Sequence, residues 1–312
     1  MDIFKGLIKK LGIMGALLSL SISNLTYAGP IVDTWSFDTW AEFSNSTFNA
    51  GGGTTTETLD ALTWGATGGD YTNTTAGSAD SQSALTLGTG VSDGSGLIPE
   101  NRFGGGNVTG MVDTIIGGGP PAGPSEIGIG ISATHWNNVL SGSFGALTGG
   151  TLTDYLNLNA LLPNVGPVQA APTIAIDFKF QETPNSGSSG FCQDGSAVPA
   201  IGGCPDIFGF AADLTVGIPF VYDGNLYAID VLLSDGMGGA APIGVLADGY
   251  CSALGLANGC AGLVTPESAV TSFQFGFDIR HVRAVPEPST LVLLALGMIF
   301  IGARKHRFNT NS

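Results

Sequence analysis

Basic residues are scarce in this chain: ten Lys and Arg stand against 25 Asp and Glu among 312 residues. Six of the ten lie at the two ends, as Lys5, Lys9, Lys10, Arg304, Lys305 and Arg307. Only Arg102, Lys179, Arg280 and Arg283 remain between them. Once Asp2 and Glu287 are set aside they face 23 acids, a net charge of −19. A body this acidic repels DNA, RNA and anionic lipid heads, so no nucleic-acid partner is expected. The same surplus of carboxylates keeps a chain soluble or attracts cations.

Histidine is rarer still, with His135 and His281 the two in the body. A Ser-His-Asp site needs one of them as its base, and no Gly-x-Ser-x-Gly elbow accompanies either. No Walker loop occurs. The absence of an Asp-x-Asp-x-Asp-Gly loop excludes EF-hand calcium binding. The Asp-Gly pairs at Asp93, Asp194, Asp223, Asp235 and Asp248 read as turns. The chain is therefore not expected to be an enzyme, and no metal or cofactor is expected. A calcium ion held between loops by carboxylates and carbonyls is the alternative. A polysaccharide hydrolase needs only two carboxylates, and acids are plentiful.

Cysteine is limited to Cys192, Cys204, Cys251 and Cys260. Their spacing does not suit a zinc site. In an exported chain an even count pairs. Spacing favours two local bridges, Cys192–Cys204 and Cys251–Cys260, with crossed pairings the alternative.

Glycine, by contrast, is abundant at 49 residues, with many Ser and Thr, which disfavours helix; 17 Phe and 4 Trp supply a core. Apolar residues alternate with polar ones at Trp35–Ser44, Ile127–Ala133, Ile174–Gln181 and Phe273–Arg280, the period of strands with one buried face. The glycines interleaved at Gly128 and Gly130 let a neighbour approach closely. Ile218–Tyr222, Asp223-Gly224 and Leu226–Leu233 read as a hairpin. Thr151–Leu162 reads as strand rather than helix. The fold class predicted is all-β, an antiparallel sandwich of jelly-roll type, over residues 29–284.

Both ends read as addresses. Lys5, Lys9 and Lys10 precede an apolar stretch, Leu11–Ile22, and Thr26-Tyr27-Ala28 offers small residues before a cut, so residues 1–28 are predicted to be a signal peptide. At the other end, Pro286-Glu287-Pro288 holds an extended backbone. An apolar span follows at about 289–303, short for a bilayer. A basic cluster, Arg304-Lys305-His306-Arg307, then fixes the inner side. Residues 308–312 form a tail.

This triplet, span and basic end resemble the PEP-CTERM sorting signal. The resemblance implies a Gram-negative bacterium and transient anchoring in its inner membrane. It also implies an exosortase that recognises Pro286, Glu287 and Pro288 with Arg304, Lys305 and Arg307, after a signal peptidase has acted. The destination implied is the cell surface or extracellular matrix, with a link to extracellular polysaccharide and biofilm.

Thr134-His135-Trp136-Asn137-Asn138 is the densest polar and aromatic cluster, placed at a strand end where loops carry function. An isolated His in a loop is usually just hydrogen-bonded, so a structural corner is expected; such side chains also suit sugar rings and hydroxyls, which is the alternative. Thr134-His135-Trp136-Asn137 is similar to the name-giving motif of the THxN family of PEP-CTERM proteins. Leu62–Gly65, Ser81–Leu85, Glu182–Asn185, Cys204–Phe208, Tyr222–Gly224 and Cys260–Glu267 also resemble segments of that family, with Pro266 a departure. The family implies export and surface association and brings no catalytic residue. The expectation is a non-catalytic surface or matrix protein, with a carbohydrate-binding module using Thr134–Asn138 as the alternative and a polysaccharide hydrolase as the next.

Overall fold

Period-two alternation turns most of the chain into strand. The structure is a computed structural model describing residues 29–284 except 74–78, 89–106, 165–168, 171–172, 184–190, 199–202, 211–216, 235–239 and 242–243. Residues 1–28, the sorting signal at 285–307, the tail at 308–312 and Arg102 lie outside the described residues. No described helix is long and apolar enough to cross a membrane.

Fifteen strands are described. They are β1 (Thr34–Phe48), β2 (Thr54–Glu57), β3 (Ala61–Gly65), β4 (Gln82–Gly88), β5 (Val108–Ile115), β6 (Gly128–Asn137), β7 (Leu147–Leu162) and β8 (Gln169–Ala170). They continue as β9 (Ile174–Gln181), β10 (Asp206–Phe210), β11 (Ile218–Tyr222), β12 (Asn225–Ser234), β13 (Ala240–Ala241), β14 (Ala261–Thr265) and β15 (Ala269–Ala284). One short α-helix, α1 (Asp248–Ala253), begins at an Asp-Gly pair expected to be a turn. It buries Tyr250 and Cys251 against Ile207 and Leu246, a local apolar contact that period-two reading does not detect.

By contacts the chain forms two units. The larger comprises Ile31–Phe220 with Tyr227–Val282; the smaller includes, among the described residues, 29–30, 221–226 and 283–284. In the smaller, Asp223 and Gly224 both have positive φ, 47° and 77°, the backbone of a tight hairpin turn. Gly29 N donates to the Asp223 carbonyl there, at 2.6 Å.

In the larger unit the hydrogen-bonded order is β14-β10-β9-β7-β1-β5-β15-β6-β4-β3-β2. The first six strands make one layer and the last five the other. They face each other through rings, with Phe37 against Phe277 at 5.0 Å, Trp64 against Phe180 at 5.3 Å and Phe208 against Phe273 at 6.2 Å. Trp40, which breaks the polar side of β1, stacks on its cross-strand partner Tyr155 at 5.1 Å. The pairing is not wholly antiparallel: β5 and β15 run parallel at Ile279↔Thr114 and Arg280↔Ile115, which joins the layers into one mixed sheet. Alternation reports which face of a strand is buried and carries no information about its partner's direction, so an all-antiparallel expectation had no means of seeing this pair. Arg280 also ties β12 to β15, with its Nε 2.5 Å from Asp230 and 3.0 Å from Asp278.

Glycine and phenylalanine pair across strands in both layers. The Phe37 ring covers Gly110 on β5, and the Phe277 ring covers Gly128 on β6; a Cβ at either glycine would lie 2.6 Å or 2.4 Å from that ring. The glycine face of β6 thus admits a neighbouring strand's ring.

Candidate functional site

The register of three neighbouring strands gathers acids at one end of the first layer. Asp206 opens β10 opposite Thr265 at the end of β14, and Ile207 pairs with Gln181 at the end of β9. Glu182 follows β9 and Glu267 follows β14, so both carboxylates converge on Asp206. Ligand oxygens of Glu182, Asp206 and Glu267 all lie within 4.8 Å of one another.

The facing layer supplies the rest through β6. Successive side chains on a strand point to opposite faces, so the Thr134–Asn138 cluster is divided. His135 and Asn137 point inward and are fully buried. Thr134 and Trp136 point outward: Thr134 Oγ1 lies 2.9 Å from Ser272 Oγ, and Trp136 Nε1 donates to Thr86 Oγ1 at 3.2 Å. Asn138, just past the strand, donates through Nδ2 to the carbonyls of Tyr71 and Gln82, both at 2.7 Å. The motif lies within a strand rather than in a loop, and His135 and Trp136 do not meet on one surface. Sequence position suggested a strand end, and the motif is the end of β6, with Asn137 paired to Ala269 and Trp136 to Val270 and Ala84, so its residues are strand up to Asn137.

His135 lies between the layers. Its ring stacks on Trp64 at 5.8 Å and meets Phe180 and Phe208 edge-on at 5.4 Å and 5.1 Å. Nδ1 is 2.8 Å from Thr265 Oγ1. Nε2 has no hydrogen-bond partner and lies 4.0 Å from Asp206 Oδ2, too long for a hydrogen bond. Burial lowers the His135 pKa to about 3, so the imidazole is neutral at ordinary pH. Asn137 Nδ2 donates to the carbonyls of Thr265 and Pro266, at 3.3 Å and 3.1 Å, and its Oδ1 is buried without a partner.

The acids are only partly satisfied. Trp64 Nε1 donates to Glu182 Oε2 at 2.9 Å, and the Thr183 amide to Asp206 Oδ1 at 2.7 Å. Glu182 Oε1, Asp206 Oδ2 and both Glu267 oxygens are buried without hydrogen-bond partners. Burial, and then the charge of a neighbouring acid, pushes Glu182 and Asp206 well above the usual carboxylate range and Glu267 up to about 9. Hard oxygen donors beside an imidazole are groups that hold a divalent cation.

Sequence reading found His135 and Asn137 and missed Glu182, Asp206 and Glu267 as partners. The available signal was an acid beside an apolar strand with no basic residue nearby, as in Asp206-Ile207-Phe208. Thr265 and Glu267, on either side of Pro266, both reach the cluster. The structure pairs Cys192 with Cys204 and Cys251 with Cys260. The first bridge adjoins the site, because Thr183 Oγ1 donates to the Cys204 carbonyl at 2.5 Å.

An all-β body with a buried polar cluster and two disulfides is thus joined to a terminal address. Residues 284–307 match the PEP-CTERM protein-sorting motif, which begins where β15 ends. The chain is an exosortase substrate, sorted to the cell surface or extracellular space. No curated protein matches it.

Proposed function

We propose that this is a non-catalytic surface protein that associates with extracellular polysaccharide in a biofilm matrix. The observation that carries the reading is the sorting motif at 284–307. On this reading a signal peptidase removes residues 1–28 in a Gram-negative host, the tail holds the chain transiently in the inner membrane, and exosortase then releases it. The acidic body and its resemblance to the THxN family of sorted proteins support an extracellular role. A structural part for the buried cluster also fits, since His135 and Asp206 are fully enclosed and offer no open face to a polymer.

Fractionating the native host tests this. The protein is expected in the extracted matrix, trimmed at both ends and with oxidised thiols by intact mass. Its confinement to the cytosol with Met1 and Ser312 still present would overturn the reading. Release of new reducing ends from host matrix by the purified protein would overturn the non-catalytic part alone.

A further inference from the structure

We propose that Glu182, Asp206 and Glu267 bind one divalent metal ion between the two layers, with the His135 imidazole at the edge of the site. Three carboxylates with ligand oxygens inside 4.8 Å repel one another unless protons or a cation separate them. Four of their oxygens are buried and lack a hydrogen-bond partner. Among the described residues the arginine in ion pairs is Arg280, and it is held by Asp230 and Asp278.

A second observation, independent of the acids, points to the same place. His135 Nε2 is fully buried, lacks a partner and faces Asp206 Oδ2 across 4.0 Å. In the tautomer that donates Nδ1–H to Thr265 Oγ1, Nε2 presents a lone pair toward Asp206 Oδ2, acceptor toward acceptor once that carboxyl is ionised. A cation resolves that opposition. A hydrogen bond on the far ring nitrogen is also what fixes the tautomer of a metal-facing imidazole.

The donors are mainly carboxylate oxygen, which suits Ca2+ or Mn2+; the single nitrogen gives Zn2+ a claim. Since His135 and Asp206 are fully enclosed, the ion enters during folding and leaves slowly. The site stands apart from polysaccharide association and does not depend on it.

The test uses the full chain. It is unfolded in guanidinium with EDTA and its disulfides intact, then refolded without metal or with excess Ca2+, Mn2+ or Zn2+. Bound metal per chain after gel filtration and the melting temperature are read for wild type, Asp206→Asn and Glu267→Gln. Wild type is expected to retain one equivalent of one of the three ions and to melt several degrees higher with it. Each variant should bind at least about tenfold more weakly, and in the absence of metal should melt no lower than metal-free wild type at neutral pH, because the amide needs no proton taken up on folding. If Asp206→Asn fails to fold, Glu267→Gln carries the test, since the amide keeps the side chain's size and an oxygen that can accept from Asp206. Retention of none of the three ions by wild type, or equal retention by the folded variants, overturns the proposal.

Discussion

His135 Nε2 and Asp206 Oδ2 face each other across 4.0 Å, one on β6 and one on β10, both fully buried and with no hydrogen bond between them. The imidazole is enclosed by Trp64, Phe180 and Phe208 and oriented by Thr265. Its neighbour in sequence, Trp136, lies on the other face of the strand. Two adjacent residues of one motif thus do different work.

Substitution separates them. His135→Ala empties a ring-lined space and leaves Thr265 Oγ1 without its partner, so it should lower stability by about 2–4 kcal/mol. Trp136→Ala, at a partly exposed position, should cost roughly 1 kcal/mol. Urea midpoints of the two variants give the comparison; equal losses would mean that both side chains are core.

Acidity offers a second test, away from the cluster. Burial pushes the Asp154 carboxyl up to about 7, opposed by a hydrogen bond from Thr39 Oγ1 at 2.5 Å. In the unfolded chain an Asp titrates near pH 3.9, on the order of the free side chain. Between about pH 4 and 7 the folded chain therefore holds a proton that the unfolded chain has lost. This contribution is fully present below that window and is lost as pH rises through it. Asp154→Asn should flatten that fall and gain stability relative to wild type above pH 7, read as urea midpoints across the range. A wild-type difference that stays constant with pH would show that Asp154 does not titrate there.

Ring-on-glycine packing is testable at Gly128. An alanine Cβ would lie 2.4 Å from the Phe277 ring, so Gly128→Ala should cost about 1–3 kcal/mol through overpacking. Gly119→Ala, with nothing within 4 Å, should change stability by less than about 0.5 kcal/mol. Adding Phe277→Leu to Gly128→Ala should recover part of the loss if the ring is the obstacle.

Removing the Cys192–Cys204 bridge, as Cys192→Ala with Cys204→Ala, should cost about 3 kcal/mol by the chain-entropy model. The loss should reach the acid cluster, because Thr183 joins the Cys204 carbonyl to Asp206. Hydrogen exchange would show faster opening of the Thr183 amide than in wild type. An unchanged rate would separate the bridge from the cluster.

The legible part of the fold was local. The alternations in Trp35–Ser44, Ile174–Gln181 and Phe273–Arg280 reappear as β1, β9 and β15, and Asp223-Gly224 as a tight turn. Thr151–Leu162 lies in β7, where its mixed pattern reflects a strand only partly covered. The helix over Asp248–Ala253 was not legible, because six residues around a disulfide carry too little pattern. At the cluster, His135 stood out by rarity and Asn137 by its place beside it, whereas Glu182, Asp206 and Glu267 were three among 25 acids.

The sequence by itself determined the strand-rich body, its acidity and the terminal address, because side-chain periodicity, composition and a contiguous motif are properties of the chain before it folds. Only the tertiary structure decided that Glu182, Asp206 and Glu267 meet His135. That meeting depends on the register of β9, β10 and β14, set by pairs such as Asp206 with Thr265, and on which layer faces β6, which brings His135 to Thr265 across 130 residues.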